Sequence, residues 1–333
     1  MRRRDFIRRG AGFIGAGLAV AYAARPTDAS AQSYPTRPIK LVVPYPPGGV
    51  VDVVARHWAE KAGSIIGGTF VVENQAGGGG TLGAGSVKRA SADGHTLLFG
   101  ETSCLIIAPY LMAAKPYDPQ TDFTAVSLVA TSSTSIIVHP SLPVKNLAEF
   151  ITYAKANQEK LNYGSAGAGT VTHLAGELFK QLIGAPKITH VPYRGAGPAM
   201  VDAVAGVIPM STPNINGQIL QMHNEGKLRI LAVCAPERLK AAPDIPTAAE
   251  TVPGMVLQLT SGVLAPAGTP DDIVSKLSAA TAKVIADPDF QRILATSGLE
   301  GRADSAAPTA KAFWQSERQR LTPVMTAAGL TPS

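Results

Sequence analysis

Residues 39–55 read IKLVVPYPPGGVVDVVA, and this stretch decides the fold. Residues 39–44 form a short apolar run typical of a buried strand, and residues 45–49 form a proline- and glycine-rich turn. One apolar helix face follows, made of Val51, Val54, Ala55, Trp58 and Ala62. A strand, a tight turn and a helix in this order predict an α/β protein.

A second stretch repeats this layout at residues 161–182, which read LNYGSAGAGTVTHLAGELFKQL. Residues 161–164 are strand-like, residues 165–169 form a loop of small side chains, and a helix face follows. That face consists of Val171, Leu174, Ala175, Leu178 and Leu182. Alternating strands and helices favour parallel sheets. The carboxyl-terminal part predicts helices over residues 270–286, 290–296 and 309–328.

Composition and charge limit the possible functions. The chain has 333 residues, of which 45% are hydrophobic and 16% charged, enough for two domains with separate cores. Residues 1–31 hold six arginines and two aspartates, so the rest of the chain carries only +2 of the total net charge of +6. That excess is too small for nucleic-acid binding. Two cysteines and six dispersed histidines predict no disulfide scaffold, no metal site and no cofactor.

The first 31 residues are predicted to be an export signal. An arginine-rich start precedes the apolar run 10–24, and Ala29-Ser30-Ala31 forms a cleavage site of small residues. Arg3-Arg4 followed by Asp5-Phe6-Ile7 resembles a twin-arginine signal, and Sec export remains an alternative. We therefore expect a periplasmic protein cleaved after Ala31, with no later stretch long enough to span a membrane.

Three motifs admit a second interpretation. The run Gly78–Gly83 matches a dinucleotide-binding pattern, but glycine repeats match it by composition alone, and a loop near a cleft is the preferred interpretation. Ser165 with His173 as its base would make a hydrolase, although Tyr163 stands where a nucleophile elbow needs glycine. Cys104 and Cys234 are predicted to be buried thiols rather than a disulfide.

Two glycine-rich loops form the more informative pattern. Residues 46–49 and residues 165–170 each precede a helix, whose first N–H groups are unpaired and carry a partial positive charge. Glycine lets a ligand approach such groups closely because it has no Cβ atom. Two such ends facing one cleft would bind a carboxylate without a lysine or an arginine.

Many blocks along the chain resemble Bug receptors, the substrate-binding proteins of tripartite tricarboxylate transporters. The resemblance runs in order through nearly the whole chain after the export signal. Its blocks are residues 34–44, 46–56, 71–74, 92–98, 117–119, 161–165, 173–179, 190–195 and 264–270.

The resemblance implies an α/β fold of the type II periplasmic-binding-protein class, with a ligand cleft between two lobes. It implies lobe 1 over residues 34–132 plus 260–333 and lobe 2 over residues 133–259. The ligand-binding residues it implies are Pro47, Gly48, Gly49, Thr102, Ser103, Ser165, Gly167, Gly169, Thr170 and Asn214. Asp52, His173 and Tyr193 are expected to support these loops.

The resemblance also implies a function without a chemical step. The receptor would capture a small carboxylate and present it to membrane permease subunits, acting as a monomer. Two segments, residues 209–214 and 258–263, depart from the family pattern in the distal half of the cleft, so the ligand itself stays open. A ligand sensor for a membrane histidine kinase and a secreted hydrolase using Ser165 are the alternatives.

Overall fold

The computed structural model describes residues 34–296 and 298–332. The predicted export signal, residues 1–31, and its cleavage site lie outside these ranges. Within them, no helix is both long enough and apolar enough to cross a membrane.

Strands and helices alternate over most of the chain. The strands are β1 (Ile39–Val43), β2 (Phe70–Asn74), β3 (Thr96–Glu101), β4 (Phe123–Ser133), β5 (Ser135–Val138), β6 (Asn162–Ser165), β7 (Thr189–Pro192), β8 (Met210–Ser211), β9 (Arg229–Val233), β10 (Gln258–Pro266) and β11 (Leu299–Gly301). The helices are α1 (Val50–Ile66), α2 (Thr81–Lys88), α3 (Ala108–Leu111), α4 (Leu147–Asn157), α5 (Val171–Ile183), α6 (Ala196–Val204), α7 (Gly217–Asn224), α8 (Asp271–Ala286), α9 (Pro288–Thr296) and α10 (Ala307–Ala327).

The strands form two sheets. The first has six strands in the order β11-β4-β10-β3-β1-β2, and the second has five in the order β7-β6-β8-β5-β9. β1 pairs in parallel with β2 and β3, and β6 pairs in parallel with β7 and β8. β10 and β5 pair antiparallel with their neighbours, so both sheets are mixed and the expectation of parallel sheets is wrong for these strands.

The chain crosses between the sheets in a narrow region. β4 belongs to the first sheet and β5 to the second, and Thr134 alone separates them. The chain returns between the end of β9 and the start of β10. The crossing segments are hydrogen-bonded, because Cys234 N donates to Thr134 O at 2.7 Å and Thr134 N donates to Leu257 O at 3.1 Å. These crossings lie close to the boundaries proposed for the two lobes.

The predicted helix faces form much of the core. All five residues predicted to face inward in α1 are buried, and Trp58 donates its indole N–H to Thr281 Oγ1 of α8 at 3.2 Å. In α5, Leu182 is an error of prediction because its side chain is 42% exposed. It lies in the last turn before the left-handed Gly184, and Phe179 and Ile183 are buried instead.

The glycine-rich segment after β2 contains a helix that the sequence pattern did not predict. The residues expected to form a loop contain a short 3₁₀ turn, Gly78–Gly80, and the start of α2. Packing requires glycine at position 83, because a Cβ there would lie 2.8 Å from Gln75 O. Tertiary packing thus overrides the low helix propensity of glycine.

Candidate functional site

A cavity of about 670 Å³ lies where loops and helices of both sheets meet. Several of its lining residues were predicted ligand contacts: Pro47, Gly48, Gly49, Ser103, Thr170 and Asn214. Thr102, Ser165, Gly167 and Gly169 do not line it. The cavity thus collects the turn before α1, the segment after β3 and the start of α5.

A buried carboxylate supports the turn before α1. Gly49 is the N-cap residue of α1. Because glycine has no side chain, the first N–H groups of α1 lack a capping side chain. Gly48 has a φ of 82°, which favours glycine, and its N–H donates to Asp52 Oδ2 at 2.9 Å. Asp52 is buried and also accepts from Arg56 and Asn74.

Hydrogen bonding decides the charge of Asp52. Burial by itself raises the pKa of this carboxyl, but the hydrogen bonds from Arg56, Gly48 and Asn74 outweigh burial and leave the pKa below its ordinary value. Asp52 therefore stays ionised and supports the Pro47–Gly49 turn from the side of the protein.

The end of β3 brings a second carboxylate to the cavity. Glu101 is fully buried, and its Oε2 accepts from Ser103 N at 2.7 Å and from Ser103 Oγ at 3.0 Å. Its Oε1 accepts from the Tyr45 hydroxyl and from Cys104 N. Burial raises the pKa of Glu101, although these hydrogen bonds act in the opposite direction. Four protein donors therefore occupy this carboxyl group.

Ser103 connects the two halves of the site. Its Oγ accepts the N–H of Val171, the first residue of α5, at 2.9 Å. Thr102 is buried beside it but faces β10, since Thr260 N donates to Thr102 Oγ1 at 2.9 Å. The end of β3 thus supplies one residue to the cavity and another to the sheet.

The start of α5 is already partly capped by protein groups. Thr170 Oγ1 accepts from His173 N at 3.2 Å and donates to Gly167 O at 2.6 Å. Together with the bond from Val171 to Ser103, this uses two of the first N–H groups of α5. The two helix ends that look alike in the sequence therefore differ, and the α1 end is the more open one.

Ser165 is paired with a different histidine from the one the hydrolase alternative needs. Its Oγ lies 2.7 Å from His190 Nε2, whereas His173 Nδ1 accepts from Gly169 N at 3.3 Å. Ser165 is buried and outside the cavity lining. His173 and His190 stack with ring centroids 4.1 Å apart. The Ser165–His173 hydrolase arrangement is therefore wrong.

The remaining predicted residues have separate positions. Tyr193 donates its hydroxyl to Asp202 Oδ2 at 2.6 Å, and its N–H donates to Ser165 O at 3.1 Å, which ties the second loop to α6. Asn214 lines the cavity, and its buried Oδ1 has no hydrogen-bond partner among the residues that the structure describes. Only a hydrogen-bond donor, such as a hydroxyl or N–H group of a ligand, would satisfy this oxygen.

Part of the lining was not found from the sequence. α6 and α7 contribute Met200, Val201, Val204, Ile219 and Met222, and Arg194 stands just before α6. The signal was present at Arg194-Gly195, where a strand leads through glycine into a helix as it does at residues 39–55. Across residues 34–296 and 298–332, no group of three His, Cys, Asp or Glu side chains is placed to hold a metal ion.

Comparison with known proteins decides the family. The family model described as "Tripartite tricarboxylate transporter family receptor" matches residues 54–330. The chain belongs to this family of receptors. A curated relative, the "UPF0065 protein in tcbD-tcbE intergenic region" of Pseudomonas sp. (strain P51), is 36% identical over 92% of this chain and 90% of that protein.

Solved structures agree with the family. "Periplasmic binding protein BugD" superimposes with a TM-score of 0.84 at 32% identity, covering 90% of this chain and 100% of that one. "R. palustris Rpa4515 with adipate" superimposes with a TM-score of 0.85 at 32% identity, over the same shares of the two chains. The predicted family and fold class are confirmed. The expectation that this receptor is not an enzyme is confirmed as well, because members of its family are binding proteins.

Proposed function

We propose that this family receptor captures a small carboxylate in the cavity between its two lobes and delivers it to the membrane subunits of a tripartite tricarboxylate transporter. The open α1 end carries the proposal, because Gly48, Gly49 and the uncapped first turn of the helix line the cavity. Helix N–H groups suit an anion, and the similar structure of Rpa4515 contains adipate, a carboxylate.

The proposed contacts are those of the family loops. Gly49, Val50 and Val51, at the start of α1, offer N–H groups to the carboxylate. Pro47 and Gly48 shape the turn before them, and Ser103, Thr170 and Asn214 line the cavity from the other loops. Thr102, Ser165, Gly167 and Gly169 hold the loops in shape without reaching the cavity. Asp52, His173 and Tyr193 act as supports, since each is bonded to a loop residue rather than directed at a ligand.

Binding measurements on the protein purified from the periplasm test whether its ligand is a carboxylate. Calorimetry with aliphatic, aromatic and dicarboxylic acids should give saturable binding for at least one acid and none for its amide. Gly49→Ala puts a methyl group at the α1 cap, where φ is ordinary and the nearest outside atom is Pro46 O at 3.7 Å. The methyl group obstructs the approach of the carboxylate to the N–H groups of α1. We expect binding to weaken by about tenfold or more, because one hydrogen bond to a charged group contributes ~1.5–3 kcal/mol.

Gly85→Ala is the control, because Gly85 lies in α2 outside the cavity lining and a Cβ there has space. The proposal that the ligand is a carboxylate would be refuted if an amide bound as tightly as its acid. It would also be refuted if protein stripped of co-purified ligand bound no acid.

Location and partner need separate tests. Mass spectrometry of the periplasmic protein should find Gln32 as its first residue if cleavage follows Ala31. A strain that lacks the permease subunits should lose uptake of the bound acid as completely as one that lacks the receptor. Unchanged uptake without the permease would refute the transporter as partner and leave the sensor alternative.

A further inference from the structure

Besides the loops that bear polar groups, the cavity has an apolar part formed by side chains of α6 and α7. This part, which we call the α6–α7 wall, consists of Met200, Val201, Val204, Ile219 and Met222. Met200, Val204 and Met222 pack against the same small hydrophobic cluster around Ile219. The wall is therefore one continuous surface on α6 and α7 and not a set of scattered apolar contacts.

The wall leaves apolar surface uncovered. Val201 is 68% exposed, and Met200, Val204 and Met222 are only partly buried. An occupant with an apolar body would remove this surface from water, which is the main source of affinity in most small-molecule sites. Methionine side chains adapt their shape and make favourable contacts with aromatic rings.

The cavity has few charged groups. Among the lining residues that the structure describes, Glu101 and Arg194 are the charged ones. The carboxyl oxygens of Glu101 are occupied by Tyr45, Ser103 and Cys104. Arg194 precedes Gly195, where a Cβ would lie 3.1 Å from Pro46 Cγ, so the backbone that leads into α6 lies beside the loop before α1.

This distribution of charge suits one anionic group and opposes a second. A carboxylate at the α1 end meets N–H donors, and Arg194 is the one cation among the described lining residues. A second carboxylate against the α6–α7 wall would lose its hydration without gaining a cation, which is strongly unfavourable. A terminal methyl group or an aromatic ring meets no such penalty there.

We propose that the cavity selects monocarboxylates with an apolar body over dicarboxylates. The carboxylate lies at the α1 end and the apolar body lies against the α6–α7 wall. This inference rests on the proposed function, since it assumes that the α1 end holds a carboxylate. A volume of about 670 Å³ has room for a ring or a chain of six carbons.

Calorimetry with three acids tests this selectivity on the periplasmic protein stripped of co-purified ligand. Phenylacetate and hexanoate are the apolar probes, and adipate matches hexanoate in length but adds a second carboxylate. We expect at least one apolar probe to bind about tenfold or more tightly than adipate. Tighter binding of adipate than of both apolar probes overturns the inference and leaves the proposed function intact. Binding of none of a wider panel of acids overturns the proposed function itself.

Substitutions in the wall give a second readout. Met200→Gln and Met222→Gln keep the length and helix propensity of methionine but place an amide in the wall. Each should weaken binding of the apolar probe by about tenfold while leaving adipate within about twofold. Met112→Gln is the matched control, because Met112 directly follows α3 and does not line the cavity. Equal losses for the apolar probe and adipate, or a loss in the control, would overturn the assignment of the wall.

Discussion

Asp52 shows how one buried side chain can shape a binding loop without touching a ligand. Its two carboxylate oxygens accept hydrogen bonds from Gly48 N–H, Arg56 and Asn74, three groups from the turn, the helix and the neighbouring strand. The Asp52 carboxylate would repel an anionic ligand if it faced the cavity. Its negative charge is instead neutralised by Arg56, with Nη2 and Oδ1 2.9 Å apart.

Asp52→Asn should lower the free energy of unfolding by about 1–3 kcal/mol, because it weakens hydrogen bonds to a buried charge. The effect depends on pH. The folded-state pKa of Asp52 lies below its unfolded value of ~4, so its contribution is fully present above that value and is lost as the pH falls through the folded-state pKa. Urea unfolding of both proteins between pH 7 and pH 2 measures this, and the difference should shrink at low pH.

Asp289→Asn is the matched control for Asp52. Its carboxylate is also paired with an arginine, Arg292, but both side chains are more than two-thirds exposed. Such pairs contribute little, so we expect a change within about 0.5 kcal/mol. A loss in Asp52→Asn no larger than in this control would contradict the bracing role.

His190 should stay neutral well below neutral pH. Burial and the neighbouring His173 lower the pKa of His190 to about 3. The imidazole of the unfolded chain takes up a proton near pH ~6.5. The free energy of unfolding therefore decreases as the pH falls from that value towards the folded-state pKa. NMR of the His190 ring should show no titration between pH 8 and pH 5, whereas the urea-unfolded chain titrates in that range. A midpoint near 6.5 in the folded protein would refute the burial argument.

At the scale of elements, α2 is a helix made possible by close packing. Its glycines are unequal: a Cβ at Gly83 would lie 2.8 Å from Gln75 O and 2.9 Å from Pro44 Cα, whereas one at Gly85 would meet only Arg89 Nη1 at 3.5 Å. The helix can lie against the turn at Pro44 only because position 83 has no side chain. The turn that precedes α1 is therefore supported from behind by α2.

Alanine substitutions in α2 should have opposite effects. Gly83→Ala should destabilise the protein by ~1–3 kcal/mol, because backbone atoms at 2.8–2.9 Å cannot give way without a shift of the helix. Gly85→Ala should stabilise it by up to about 1 kcal/mol through helix propensity. Urea unfolding of the two variants gives both values, and equal effects would contradict the packing argument.

At the scale of the whole molecule, Ser103 joins the two halves of the receptor. It belongs to the segment after β3 of the first sheet, and Val171 belongs to α5 beside the second sheet. Lobes that move as units about the crossing segments would make and break this hydrogen bond as the cleft closes and opens.

Ser103→Ala should favour the open form and weaken ligand binding about tenfold, since the Val171 N–H loses its acceptor in the closed form. Small-angle scattering should find a larger radius of gyration for the liganded variant than for the liganded parent. Ser64→Ala is the control, because Ser64 is exposed on α1, its hydroxyl donates to Glu60 O, and it does not line the cavity. A variant that closes and binds like the parent would contradict the latch role of Ser103.

Local patterns in the sequence were enough for the strand-turn-helix units and the family. The apolar spacing from Val51 to Ala62 and the Pro-Gly-Gly turn act over a few residues, and helix and turn preferences are local. The same holds for the helices after residue 270, where α8 and α9 begin within two residues of their predicted starts. The ordered family blocks added the two-lobe fold, which no single pattern implies.

Only the tertiary structure decided which of two similar loops stays open to a ligand. Both precede helices, but Ser103, 68 residues before Val171 in the chain, occupies an N–H of α5, while α1 has no capping side chain. Likewise, α2 lies against the turn because Pro44 and Gln75 pack on Gly83, and the apolar wall exists because side chains of α6 and α7 pack against one hydrophobic cluster. These features depend on contacts between distant residues, which local propensity does not encode.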